Sequence, residues 1–214
     1  MSKQAWILGI AASMCLARVG AAGPILLPNT GQNVVGGLDQ NYQIISDTTG
    51  LYTGPVPGDA VVVTSQPGAW ATLPGTSWIG PSANQNFSGQ TNGGDTTYQT
   101  TFSLLNTSTA TLAFDVLVDN AVNIYLNGTE VANIGAGNNL WVGYSTPALI
   151  SIGSGSHAFL TGTNVLEFQV LNGFGPTGLD VKSVSVPEFN WASMFAALTL
   201  LFGGLVVVRG AREF

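Results

Sequence analysis

Positive charge is almost missing from this chain. Its 214 residues include 5 Lys and Arg against 11 Asp and Glu, with one His and one Cys. Between Gly23 and Val186 the single base is Lys182, set against nine acids, a net charge of −8. Such a segment repels a phosphate backbone, which excludes nucleic acid as a partner. The lone Cys15 lies near the N-terminus, so the central region has neither a disulfide nor a thiolate site. With His157 as the only histidine, zinc and haem sites lack ligands. Charged residues make up 7% of the chain, against about 25% in a typical soluble domain. A sustained helical period is also missing outside the two ends. What is present is a 45% apolar and 9% aromatic content, enough to bury a core, together with 28 Gly and 10 Pro that speak for many turns.

The two ends read as address labels. In residues 1–22, Lys3 supplies positive charge, Trp6 to Leu16 form a short apolar stretch, and Val19-Gly20-Ala21-Ala22 offers small residues for cleavage between Ala21 and Gly23. This is the layout of a signal peptide; the alternative is an ordinary N-terminal helix. At the other end, Val186-Pro187-Glu188-Phe189-Asn190-Trp191 leads into a 17-residue apolar run, Ala192 to Val208, followed by Arg209 and Arg212. At about 1.5 Å per residue the run is roughly 25 Å long, which predicts a transmembrane helix over 192–208. The arginines place the C-terminus in the cytoplasm and the domain outside, with Trp191 at the outer interface.

A Pro-Glu motif, one apolar helix and a short basic end, in that order, resemble the PEP-CTERM sorting signal of exported bacterial proteins. Phe189 in the third motif position resembles the PEF variant. The resemblance implies recognition of residues 187–214 by an exosortase, a membrane transpeptidase that cleaves near the motif.

Residues 23–186 read as one β-domain. Tyr98, Thr100, Phe102 and Leu104 alternate, as do Leu112, Phe114, Val116 and Val118, and Leu166, Phe168 and Val170 alternate with Glu167 and Gln169. Period-two alternation puts one set of side chains into a core. Val122–Leu126, Asn127-Gly128 and Thr129–Val131 predict a hairpin with a two-residue turn of positive φ. Tyr42–Ile45 and Ala60–Val63 read as further strands. The expectation is about eight strands in two packed sheets, an all-β sandwich.

Several segments in fixed order carry a second resemblance. They are Gly37-Leu38-Asp39-Gln40-Asn41-Tyr42, Ser77-Trp78-Ile79-Gly80-Pro81-Ser82-Ala83-Asn84-Gln85, Tyr98–Phe102, Asp119-Asn120, Tyr125-Leu126-Asn127-Gly128, Gly162–Phe168 and Gly175–Leu179. Together they resemble the exported galactose-binding-like jelly-roll domains that often precede PEP-CTERM tails. The resemblance implies a jelly-roll β-sandwich on a sugar-binding type of scaffold.

A carbohydrate site needs aromatic faces to stack on sugar C–H surfaces and neutral side chains to bond hydroxyls. Trp78, Asn84, Gln85, Asn86, Asp119, Asn120, Trp141 and Asn172 supply that chemistry. The competing reading places Trp78 in the core and the Asn residues in turns and caps. Asp119 is also a candidate ligand for a structural calcium, which prefers oxygen donors. Catalysis finds no support. No G-x-S-x-G motif occurs, and His157 sits in a small-residue turn. Asp115 and Asp119 share strand parity but stand about 13 Å apart along an extended chain, too far for a glycosidase pair. Asn86, Asn106 and Asn127 begin Asn-x-Ser/Thr triplets that chance accounts for at this composition.

The sequence therefore predicts an exported, non-catalytic module sorted to the cell envelope. Its expected roles are carbohydrate binding or adhesion within an extracellular polysaccharide matrix, with neutral glycans, the membrane and an exosortase-type enzyme as partners. The alternative is a purely structural surface protein without a ligand; a glycan-active hydrolase stands behind both. The implied location is the outer face of the cytoplasmic membrane, then the cell surface or matrix once the tail is processed.

Overall fold

Which way each strand faces follows from the alternation just described, and the computed structural model, which describes residues 24–86, 93–135 and 143–185, resolves eleven strands. These are β1 (Val34–Val35), β2 (Leu38–Asp47), β3 (Gly58–Val62), β4 (Ile79–Gly80), β5 (Gly94–Leu104), β6 (Thr111–Asp119), β7 (Ala121–Leu126), β8 (Thr129–Ile134), β9 (Ala148–Gly153), β10 (Gly162–Asn172) and β11 (Gly178–Ser183). The expected signal peptide of residues 1–22, Trp141 and the expected sorting tail and transmembrane helix, including Val186, Pro187, Glu188, Phe189, Arg209 and Arg212, lie outside the described residues. Among the described residues no helix is long and apolar enough to cross a membrane.

The strands form one hydrogen-bonded path, β8-β7-β10-β5-β2-β3-β4-β11-β6-β9, with β1 on β2. Its two ends, β8 and β9, touch, so the all-β core is a nearly closed barrel-like sandwich. About eight strands were expected, and the surplus lies mainly in the two-residue strands β1 and β4, too short to show a period. Five strands, β8-β7-β10-β5-β2, make one wall, and β4-β11-β6-β9 make the other. The short strand β3 turns the corner between them. At that corner β2 carries a bulge: Asp39 opposes Ala60, yet Gln43 opposes the very next residue, Asp59.

The inner faces meet in a single core. From β10, Leu166, Phe168 and Val170 are buried, and Phe168 meets Phe114 of β6 edge-to-face at 5.6 Å between ring centroids. Tyr98 and Leu104 of β5 and Leu112, Phe114, Val116 and Val118 of β6 join them, in agreement with the predicted alternation. The β7–β8 turn also forms as expected. Asn127 and Gly128 have φ of 53° and 78°, the pair of positive values that a two-residue hairpin turn requires.

The outer faces of the two walls differ. Residues 63–78 fold across the outside of β4-β11-β6, and Trp70, Leu73 and Trp78 pack there on Leu117 as a second apolar cluster. Among the described residues no second apolar cluster forms on the outer face of the five-stranded wall.

Candidate functional site

The structure brings Gln85, Asp119, Asn120 and Asn172 to one end of the sandwich, next to Trp78, and buries them. Trp78 is 1% exposed, and its ring stacks on Trp70 with centroids 4.0 Å apart and planes 30° apart. Its Nε1–H donates to the Ala71 carbonyl at 2.7 Å. The face that a sugar would use is thus covered by Trp70, and Trp78 takes the core role that was its alternative.

The polar residues form a joint between loops. Asp119 Oδ2 accepts Trp70 Nε1–H at 2.7 Å, and Oδ1 accepts the Asn120 side-chain amide. Asn120 Oδ1 accepts Gly173 N–H at 2.9 Å. Gln85, fully buried, donates to Ser82 O at 3.1 Å and accepts Thr177 N–H at 3.0 Å. Thr177 Oγ1 donates to the Asp119 carbonyl at 3.1 Å. Asn172 Nδ2 donates to Gly175 O at 3.2 Å, while its buried Oδ1 has no partner among the described residues. Asn84 and Asn86 are exposed, and Asn84 Oδ1 accepts Asn86 N–H at 3.0 Å in a local turn. Unpaired burial would be costly for Gln85, Asp119 and Asn120, and the bonds of the joint offset that cost.

This geometry engages Asp119, the candidate calcium ligand, in hydrogen bonds. Both carboxylate oxygens of Asp119 already accept N–H donors, whose positive ends face where a cation would sit. Among the described residues no three His, Cys, Asp or Glu side chains gather to hold a metal. Burial raises the Asp119 carboxyl to about 6, against the opposing pull of its Trp70 and Asn120 bonds. Asp180 on β11 is raised by burial in the same manner; it accepts Thr30 Oγ1–H at 3.0 Å and Leu73 N–H at 3.1 Å. Asp39, also raised by burial, accepts Gly31 N–H at 2.7 Å and Asn41 N–H at 2.9 Å. His157 is exposed at the end of a short 3-10 turn.

An open groove of about 460 Å³ lies elsewhere, at the β2–β3 corner. Tyr52 forms its aromatic wall, Leu38, Val61, Pro55 and Pro57 add apolar surface, and Gln43 and Asp59 bring polar groups. Asp47 builds the loop that returns Tyr52 to the wall. Its oxygens accept Thr49 Oγ1–H at 2.8 Å, Thr96 Oγ1–H at 2.7 Å, Gly50 N–H at 3.1 Å and Tyr52 N–H at 3.3 Å. The Tyr52 hydroxyl then donates to the Asp59 carbonyl at 3.0 Å. Gly58 lets the ring pass close, because a Cβ there would sit 2.4 Å from the Tyr52 hydroxyl oxygen.

The Tyr52 ring is therefore held from both sides of its loop. Asp59 Oδ2 accepts Gln40 Nε2–H at 2.7 Å. The exposed Gln43 side chain makes no hydrogen bond among the described residues. The sequence reading missed Tyr52, Gln43 and Asp59. A signal for Tyr52 was its place at the head of the stiff loop Tyr52-Thr53-Gly54-Pro55-Val56-Pro57-Gly58.

No family model matches the chain, and no curated protein matches it in sequence. Similarity to solved structures is weak. The family 35 carbohydrate-binding module from Paenibacillus barcinonensis aligns with a TM-score of 0.33 at 19% identity, over 66% of this chain and 98% of that one. The family 35 module of Cellvibrio japonicus Abf62 aligns at 0.35 and 10% identity, over 69% and 89%. The β-glucosidase of Kluyveromyces marxianus aligns at 0.34 and 11% identity, over 46% of this chain. The chain spans only 12% of that enzyme's length. The functional reading rests on the groove and its residues.

Proposed function

We propose that the chain is an exported, non-catalytic module of the cell envelope that binds neutral carbohydrate within an extracellular polysaccharide matrix. The observation that carries this reading is the Tyr52 groove, where a fixed aromatic ring stands beside a free amide and a carboxylate. An aromatic face suits sugar C–H surfaces, while Gln43 offers donors and an acceptor and Asp59 accepts from hydroxyls. No base lines the groove, so the ligand is neutral rather than acidic. The occupied hydrogen bonds of Asp39, Asp119 and Asp180 favour a structural role for these acids over general acid–base work.

Export follows from the signal-like residues 1–22, and envelope sorting from the resemblance of residues 187–214 to a PEP-CTERM tail. An exosortase-type enzyme would release the domain near Val186–Phe189, and display of many copies would strengthen individually weak sites. A structural surface protein is the second reading, favoured by the conversion of five sequence-selected residues into internal packing and bonding.

Glycan-array binding by the full-length protein in a non-glycosidic detergent, with and without calcium, tests the proposal. Retention on neutral glycans in both conditions is expected. Failure of the folded protein to bind any glycan would leave the structural reading. The mass of the protein recovered from the envelope fraction tests the sorting step, since cleavage near Val186–Phe189 removes the tail.

A further inference from the structure

Through Gln43 and Asp59 the groove continues onto the outer face of the five-stranded wall. The register there is specific: Asp59 of β3 opposes Gln43 of β2, Gln43 opposes Gln99 of β5, Gln99 opposes Glu167 of β10, and Glu167 opposes Tyr125 of β7. Directly opposed residues project from the same face of a sheet, so these five side chains make one row across five strands. Four strand spacings of about 4.8 Å give it a length of about 19 Å.

The row is exposed at Gln43 and half-buried at the other four positions. Among the described residues Gln43, Gln99 and Glu167 make no side-chain hydrogen bond. Tyr125 reaches only Gln169, at 3.5 Å. A polar outer face is ordinary for an antiparallel wall, but here no base enters the row, and among the described residues no ion pair engages its carboxylates.

We infer that this row, from Tyr125 to the Tyr52 groove, is a binding strip for an extended, neutral glycan chain lying across the strands. The inference rests on the carbohydrate-binding reading above and adds the form of its ligand. Two amides present donors and acceptors, and two carboxylates take hydroxyl donors. Tyr rings near both ends offer stacking surfaces. The acids and the absence of bases repel uronate or phosphate polymers. A chain, rather than a single sugar, is the occupant that uses all five positions at once.

The test measures affinity of the full-length protein for cello-, laminari- and galacto-oligosaccharides, from disaccharide to hexasaccharide, with polygalacturonate as the acidic comparison. Variants Gln99→Ala and Tyr125→Ala are measured beside Leu105→Ser, which alters a side chain 99% exposed and outside the row. Thermal melts establish that each variant folds. The strip predicts affinity rising with chain length in at least one neutral series. It also predicts a loss of about tenfold for the hexasaccharide in each row variant, none in Leu105→Ser, and no retention of polygalacturonate. Affinity independent of length, or undiminished in folded Tyr125→Ala and Gln99→Ala, overturns the strip and leaves the carbohydrate reading standing. No binding of any neutral oligosaccharide by the folded parent overturns both.

Discussion

The indole of Trp70 donates to the carboxylate of Asp119 across 2.7 Å, and with that bond residues 63–78 are fastened to the end of β6. The same indole stacks on Trp78, so one side chain ties the covering segment, the second apolar cluster and the polar joint together. Replacing Trp70 by Phe keeps a ring but leaves the buried carboxylate short of one donor. A loss of about 1.5–3 kcal/mol is expected. Trp78→Ala, which empties a packed site, is expected to cost about 3–5 kcal/mol. Urea unfolding of the two variants checks both values.

Burial of Asp119 sets a pH dependence of definite sign. Its carboxyl titrates near 6 in the folded protein against 3.8 for an unperturbed group. Between those values the folded state binds more protons than the unfolded state, so stability falls as pH rises. The contribution is fully present below pH 3.8 and is lost as pH passes 6. Its size is up to about 3 kcal/mol. Asp39 and Asp180, raised by the same cause, act in the same direction. Unfolding free energy measured across this range is expected to decline toward neutral pH, with a smaller slope in Asp119→Asn.

Gly178 marks how tightly the tryptophan pair is seated. A Cβ at this position would stand 2.9 Å from Trp70 Cη2 and 3.0 Å from Trp78 Cε3. Gly178→Ala must therefore push the rings apart or bend β11, at a cost of about 1–3 kcal/mol. A lower melting temperature, with reduced near-ultraviolet circular dichroism from the displaced indoles, is the expected result.

Asn127 serves its turn and the neighbouring loop together. Beyond its positive φ, its amide donates to Ala158 O and Asn164 Oδ1, both at 2.8 Å, and its Oδ1 accepts Val165 N–H at 2.9 Å. Asn127→Ala loses the turn preference and these three bonds. Destabilisation of about 2–4 kcal/mol is expected, larger than for Asn106→Ala, whose Oδ1 accepts only the local Ser108 N–H. Chemical denaturation of the two variants makes the comparison.

Strands with clean alternation were readable in the sequence. β5, β6 and β10 put into the core the residues that period two selects, and Asn127-Gly128 announced its turn. β9 escaped notice because Ser151 and Gly153 dilute its pattern and Leu149 points outward, leaving Ile152 as its one buried residue. β11 escaped because Asp180, which reads as a solvent residue, lies fully buried beneath residues 63–78.

The same covering segment explains the site. Trp78 and Asp119 have binding chemistry, but only the path of residues 63–78 decides that Trp70 consumes it, and Gln85 and Asn120 are taken up by Ser82, Thr177 and Gly173 from other loops. Gln43 and Asp59 are brought together by a bulge that shifts the β2–β3 register, and nothing local to either residue encodes that pairing.

In the proposed function, glycan meets this protein at the β2–β3 corner and not at the Asp119 end. Backbone amide NMR of the full-length protein, titrated with cello-, laminari- and galacto-hexasaccharides, tests it most directly. Saturable shifts are expected at Gln43, Tyr52, Gly58 and Asp59, running on through Gln99 and Glu167 to Tyr125. Shifts confined to Asp119, Asn120, Asn172 and the loops around them, or no saturable shift with any of the three glycans, would contradict it.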